Sequence, residues 1–468
     1  MRRRCSAVLV AAALAGCAQA PQPLVSAGAW PEQARFRAAP APDRETPPAP
    51  SDDVDWGDAE IDRLVQQALS ANAEVEAATA RLAEAGALLD LARAQRQPSL
   101  AGGLSAARQG GPLLNDAGSQ GSLLQAGASL RLDADAAGAL ARAADAAGWR
   151  REERAAQLAA ARWQVATAVA AAGIRLRGLD AELTVARDVA DAHARAADVA
   201  RRRLAAGTIG QADTDRLEAA ARAAEAEMPA LQRQRQQTLH ALAVLLGRSA
   251  GTVDWPAQAE GSPRWPEVPA GLPAAMLARR PDVQAAARAL AATEAGRREV
   301  RAAAWPTLTL TAGAGQASAS LATLLQASLR TWSLGALLTA PLFDGGRQAA
   351  RERQADAAAA DQLARYRQQV LLAFQDAEDQ LVAVSTRRAE RELLAAAAAR
   401  AVAAQARADQ RWQLGLASQL EWLEARQAAG DLQRRRVRAD TELGLALVGL
   451  RRALGGGWTA AEAALAQR

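Results

Sequence analysis

The 468 residues are 50% hydrophobic and 23% charged but only 3% aromatic, and alanine supplies most of the apolar surface. That composition suits close helix–helix packing in coiled-coil layers and argues against a compact enzyme core built from bulky side chains. The formal net charge of +5 is carried by arginine without any lysine, interspersed with acids, the pattern of solvated helix faces rather than of a nucleic-acid partner.

Arg2, Arg3 and Arg4 form a basic start and residues 6–13 an apolar stretch. This is the grammar of a secretory signal, too short to span a bilayer. It runs into Leu14-Ala15-Gly16-Cys17, which resembles a bacterial lipobox. That resemblance implies removal of residues 1–16 and covalent lipid on Cys17, with the formal charge falling from +5 to +2. Ala18 stands where an inner-membrane-retained lipoprotein commonly has Asp, so the destination implied is the outer membrane. Cys5 and Cys17 are the two cysteines, which leaves no disulfide framework in the body of the chain. Residues 17–57 are rich in Pro and Ala and read as the acylated N-terminus and an extended tether.

The remainder reads as two copies of one unit. A constant offset of 208 residues places Pro98 on Pro306, Gly138 on Gly346, Gly207 on Gly415, and Leu246-Gly247 on Leu454-Gly455. Prolines and glycines are structural punctuation, so their joint match is more informative than matched alanines. The predicted copies are residues 58–247 and 273–458, joined by a Pro/Trp-rich connector at 248–272 and followed by a tail at 459–468.

Each copy opens with a helix, from about Asp58 to Arg96 and from about Ala274 to Ala304. A proline stops it, and a β-hairpin follows, at 99–133 and at 307–342. Leu308, Leu310 and Ala312 alternate with Thr307, Thr309 and Thr311, the period of a strand with one apolar face. Tips are predicted at Gly110 to Ser122 and Gly315 to Ser320. A long helical hairpin ends each unit, with turns near Gly207 and Gly415. Ala139 to Leu204 alone would extend on the order of 100 Å. Val165, Val169, Ala172, Leu176, Leu179 and Leu183 trace a coiled-coil seam along it, and Val370, Phe374, Ala377, Leu381 and Val384 along its counterpart. From Leu342 to Arg468 there is no proline. The returning helices are predicted from about Ala212 to Leu246 and from Gln419 to Leu454.

Only closed barrels satisfy strand backbones in lipid, and membrane barrels start at about eight strands. Two hairpins per chain therefore require several chains to share one barrel. Helices far longer than a bilayer is thick must then project into the periplasm.

With these stretches in view, the chain resembles the outer-membrane efflux channels of tripartite drug pumps. The likeness is to their NodT-type lipoprotein branch. "APLFDGGR" (Ala340 to Arg347), "ALGGGW" (Ala453 to Trp458), "ARRPDVQAAARAL" (Ala278 to Leu290) and the lipobox carry the resemblance. It implies a mostly α fold with a small transmembrane β part. Duplicated helical hairpins would form an α-barrel, and four strands per chain a homotrimeric, twelve-stranded outer-membrane β-barrel. The implied partners are a periplasmic adaptor and an inner-membrane transporter of the RND type. Aligned on Gly415, the positions that constrict the periplasmic tip are Trp412, Leu420 and Glu424, where the family commonly has Tyr first and Asp third. The family's partner arginine falls on Gln427, with Arg426 one position earlier. Asp213 and Asp215, just past Gly207, could add an acidic ring. Trp332 and Phe343 are candidates for an aromatic girdle.

No catalytic residue and no metal site are expected. His193 and His240 stand alone on helices without convergent partners, so each reads as a packing or surface residue. The function expected is a passive duct for small toxic compounds or drugs. The alternatives are the outer-membrane exit of a type I protein secretion system and a periplasmic structural coiled-coil lipoprotein.

Overall fold

The computed structural model describes residues 56–110, 120–256, 277, 279–324 and 330–455. Cys17, the tether up to residue 55, most of the connector and residues 456–468 lie outside the described residues. The elements are α1 (Ala59–Ala71), α2 (Ala73–Ala94), β1 (Ser99–Gly110), β2 (Gln120–Ala134), α3 (Ala139–Ala205), α4 (Gln211–Leu245), α5 (Pro281–Ala302), β3 (Thr307–Ser318), β4 (Arg330–Thr339), α6 (Arg347–Gln413) and α7 (Gln419–Leu454). Helices α3 and α6 have 67 residues each. Helix α3 packs against α1, α2, α4, α5 and α7, whereas α6 packs against α5 and α7.

The two seams are where the cores lie. Val165, Val169, Leu176 and Leu183 on α3 are buried, as are Val370, Phe374, Ala377 and Leu381 on α6. The main cluster joins Ile61 and Leu64 of α1, Val169 and Leu176 of α3, Leu242 of α4 and Val448 of α7. It lies toward the end of the returning helices, away from their turns.

Three elements differ from expectation. The first is the predicted helix 58–96, which is two helices. It breaks at Asn72 (φ −74°, ψ 127°), whose side-chain oxygen accepts from the N–H groups of Glu74 and Val75 and so caps α2. The amide of Asn72 also donates to the Leu245 carbonyl at 2.9 Å. The second is α5, which starts at Pro281, not near Ala274. Proline suits the first helical position because its missing N–H would be unpaired there in any case. The third is β3, which runs through Ser318, into the predicted tip. Pro229 sits inside α4 without ending it. Met228 and Leu231 on either side pack against Leu183 and Ala186 of α3, and that packing offsets the backbone bond the proline removes.

The capping position of α5 repeats the device at Asn72 with a different residue. Arg280, 208 positions on, donates to the Ala453 carbonyl at 2.8 Å, and Ala453 lies 208 past Leu245. Each copy thus hooks the start of a helix onto the end of its returning helix. The chain turns beside each hook on a left-handed glycine, Gly247 (φ 67°) and Gly455 (φ 75°). A Cβ on Gly247 would lie 2.3 Å from the Ala71 carbonyl oxygen, and one on Gly455 2.9 Å from Arg280 Cα.

The strands form one antiparallel sheet in the order β1-β2-β3-β4. The register places Leu104 opposite Ala126, Leu130 opposite Ala312 and Leu310 opposite Ala336. Alternation then collects Leu100, Leu104, Leu130, Leu310, Trp332 and Leu334 on one face. The other face carries Ser129, Arg131, Asp133, Thr309, Thr311 and Ser333. Asp133 there accepts from Thr309 Oγ1 at 2.7 Å and from Arg131 at 3.2 Å. Leu100, Leu104, Trp332 and Leu334 are 72% to 77% exposed. Among the described residues β1 pairs only with β2 and β4 only with β3, so the sheet ends in two free edges.

Gly247→Ala and Gly455→Ala should each destabilise the fold by about 1–3 kcal/mol, through left-handed strain and contact with backbone atoms. Gly296 inside α5 has open space around it, so Gly296→Ala should be neutral or stabilise by up to about 1 kcal/mol. Thermal melts of the three purified variants against the parent protein check this.

Candidate functional site

Both long hairpins turn on the same local geometry. At the first, Gly207 takes φ 68°, its N–H donates to the Leu204 carbonyl (2.8 Å), and the Thr208 N–H donates to that of Arg203 (2.9 Å). At the second, Gly415 takes φ 72°, its N–H donates to Trp412 (3.0 Å), and the Leu416 N–H donates to Arg411 (2.7 Å). This is the left-handed helix stop in which two N–H groups close over the last turn. Helix α7 restarts on a capping box: the Glu421 N–H donates to Ser418 Oγ, and the Ser418 N–H to the Glu421 carboxylate. These bonds from Ser418 hold the Glu421 carboxyl below its usual range.

Behind each turn an ion pair staples the two helices of the hairpin. In the first it is Arg201–Glu218 at 3.3 Å, and in the second Asp409–Arg426 at 3.9 Å. The 208 offset relates Arg201 to Asp409 and Glu218 to Arg426, so the positions match while the charges are exchanged. In the second hairpin the pair joins an aromatic cluster. Trp412 and Trp422 stack with centroids 4.7 Å apart and planes 18° off parallel. The Trp422 indole N–H donates to Asp409, and the Arg426 guanidinium lies 5.6 Å from the Trp422 ring centre. Trp422 and Leu423 are buried against Ala192 and Ala196 of α3.

The proposed gate positions fall into two groups within this geometry. Trp412 is half-buried, its ring stacked within its own hairpin. Leu420, Glu424, Asp213 and Asp215 are exposed, the first two one turn apart on α7 and the others at the start of α4. Asp215 accepts from Gln211 Nε2 at 2.7 Å. Gln427 is exposed, and Arg426 pairs with Asp409 of its own hairpin rather than with Glu424. Trp422 and Asp409 join this cluster without being sequence candidates; Trp422 lies across Gly415 from Trp412, as hairpin partners do. Leu414 and Leu416, at the tip itself, are 73% and 66% exposed.

The two hairpins of the chain are tied to each other as well. Near the tip, Gln419 Nε2 donates to the Ala196 carbonyl at 2.8 Å. Further along, Arg438 pairs with the buried Glu182 at 2.7 Å, and Arg434 pairs with Glu227. Removing Arg438 would strand the buried Glu182 carboxylate away from water, which costs more than the pair contributes while intact.

His193 is buried with Nδ1 unpartnered, and burial lowers its pKa. His240 is exposed. Among the described residues no cluster of three or more His, Cys, Asp or Glu side chains could hold a metal ion, and no helix is long and apolar enough to cross a membrane.

The family model described as outer membrane efflux protein matches residues 64–248 and again 272–456. The chain belongs to the outer membrane efflux protein family. OprJ of Pseudomonas aeruginosa is 31% identical, over 97% of this chain and 95% of its own. The pyoverdine export outer membrane protein OpmQ of the same organism is 30% identical, over 97% of each. The solved structure of the outer-membrane channel OprN superposes with a TM-score of 0.81, at 26% identity, over 92% of this chain and 98% of that one. The protein is thus an outer-membrane channel of a tripartite efflux system, a trimer with a long periplasmic helical barrel. It works with an adaptor and an inner-membrane transporter. Three copies of the sheet make the twelve strands that its free edges require, the apolar face turned to lipid and the polar face to the lumen.

Unfolded, His193 takes up a proton near pH 6.5, whereas burial resists that proton in the folded state. Its contribution to stability is therefore full above that pH and is lost as pH falls below it. Melting temperatures between about pH 7.5 and about 5.5 should fall toward the acid end, and His193→Leu should flatten part of that slope.

Proposed function

We propose that this channel discharges small toxic compounds or drugs, as a passive duct fed by an adaptor and a proton-driven transporter of the RND type. The observation that carries the reading is a four-stranded sheet with one apolar and one polar face, continued by 67-residue helices. That is a conduit, in which transport needs a gradient and an opening rather than chemistry. The export function in the name of OpmQ points the same way.

The periplasmic opening in this reading is set by the turns at Gly207 and Gly415. Leu420 and Glu424 narrow it, Asp213 and Asp215 add an acidic ring, and the Trp412–Trp422 stack holds α7 at the angle that positions them. Removing the Trp422 side chain should therefore loosen the tip. Trp422→Ala costs about 3–5 kcal/mol as a buried aromatic truncation. It should also raise entry of antibiotics too bulky for ordinary porins, read as a lowered inhibitory concentration.

Cys17 carries lipid in this reading, and the anchor holds the N-terminus at the same membrane that the barrel spans. Radiolabelled palmitate should be incorporated by the parent chain and lost in Cys17→Ala, while trimers still form.

Gene deletion tested with a panel of antibiotics, dyes and detergents decides the cargo. Raised intracellular accumulation of several compounds is expected. Unchanged accumulation across the panel, with loss of a secreted protein from the medium, would replace this reading with protein secretion.

A further inference from the structure

A side of α6 that is bare is largely covered in its duplicate on α3. On α6, Ala349, Ala360, Leu371, Val382, Leu393 and Ala404 recur every eleven residues, a spacing that keeps them on one helix face. All six are exposed, Leu371 at 59% and Leu393 at 74%. The offset of 208 maps this stripe onto Ala141, Glu152, Trp163, Ile174, Val185 and Ala196 of α3, where all but Glu152 are buried or half-buried. There Ile174 and Ala196 are 3% and 2% exposed, and Trp163 packs against the main core. The cover is α7 of the same chain: Trp163 Nε1 donates to the Arg452 carbonyl at 3.4 Å, and Gln419 Nε2 to that of Ala196 at 2.8 Å.

Helix α7 has a duplicate in α4, displaced by the same 208 residues. Among the described residues α4 packs on α3 rather than on α6, and no second returning helix packs on α6 as α7 does on α3. The matching cover is α4 of a second copy, on the side where the sheet also ends in a free strand. The duplicate of Arg452 is Val244, 68% exposed. The duplicate of the Gln419–Ala196 bond is Gln211 with Ala404, the same two residue types.

We propose that Gln211 of each copy donates to the Ala404 carbonyl of its neighbour, closing the trimer tip with glutamine ties that alternate within and between chains. In the single chain Gln211 bonds Asp215 instead. Assembly therefore exchanges that bond and releases the Asp215 carboxylate toward the aperture. Leu371 meets Val244 of the neighbour higher on the same seam. This inference rests on the trimeric channel and not on the cargo.

The test is disulfide trapping in outer membranes, in a chain whose own cysteines are Cys5 and Cys17. Gln211→Cys with Ala404→Cys, and Val244→Cys with Leu371→Cys, are oxidised or treated with a short bis-maleimide and run on non-reducing gels. Both pairs should give covalent dimers and trimers, whereas Gln419→Cys with Ala196→Cys should link within one chain and leave the mass unchanged. Cross-linking at 244/371 without any at 211/404 would overturn the tie. Intact trimers that cross-link at neither pair would overturn the assignment of α4 to the α6 stripe as well. Gln211→Ala should raise basal conductance of the purified trimer in planar bilayers by ~5-fold, as loss of one hydrogen bond per interface allows. Basal conductance equal to the parent's would count against the tie. None of these readouts depends on which compound the pump exports, so they stand or fall separately from the proposed cargo.

Discussion

A strand edge cannot be left bare in lipid. Each unpaired N–H or carbonyl in the hydrocarbon core costs several kcal/mol, and this sheet has an unpaired edge on β1 and another on β4. The single chain is therefore unfinished in the membrane, and trimer formation is a condition of insertion. The helices inherit that arrangement. Helices α3 and α6 start a few residues after β2 and β4, and each start is capped from outside by an aspartate. Asp135 accepts from the N–H groups of Leu140 and Ala141, and Asp344 from those of Gly346 and Gln348. Backbone donors hold the Asp344 carboxyl below its usual range, so it stays charged where it meets the positive end of α6.

Duplication supplies most of the remaining order, but it conserves tasks more than residues. Asn72 and Arg280 share no chemistry beyond an N–H that can be donated, yet each reaches the carbonyl at the end of its own returning helix. Arg280 is nearly buried and bears a fixed charge, so it also gathers Asp282 and Asp376. Asn72 needs no such company and serves as a helix cap in addition. The second copy thus achieves with an ionic cluster what the first does with one amide.

The architecture was legible where the chain uses residues with a single meaning. Glycines at positive φ, prolines at helix stops, and period-two alternation each admit few alternatives, and the turns at Gly207 and Gly415 followed from them. The break at Asn72 was hidden because asparagine also occurs inside helices, and here helix-forming residues flank it on both sides. Pro229 misleads in the other direction, since packing against Leu183 overrides its local preference. At the tip, the likeness to known channels points to Trp412, while Trp422 is the more deeply buried of the stacked pair. The staple at Asp409–Arg426 is hidden in the sequence because its counterpart in the other copy carries the opposite charges.

That exchange of charge has a consequence for how the chain finds its own partners. Two hairpins of one plan made in succession invite confusion, with α3 closing on α7 or α6 on α4 in hairpin register. The first error would set Arg201 against Arg426, and the second Asp409 against Glu218. Each wrong closure brings like charges together at the site where each right closure forms an ion pair. The reversed staple therefore disfavours each wrong closure by a like-charge contact, a distinction that apolar seams of alanine, leucine and valine do not make.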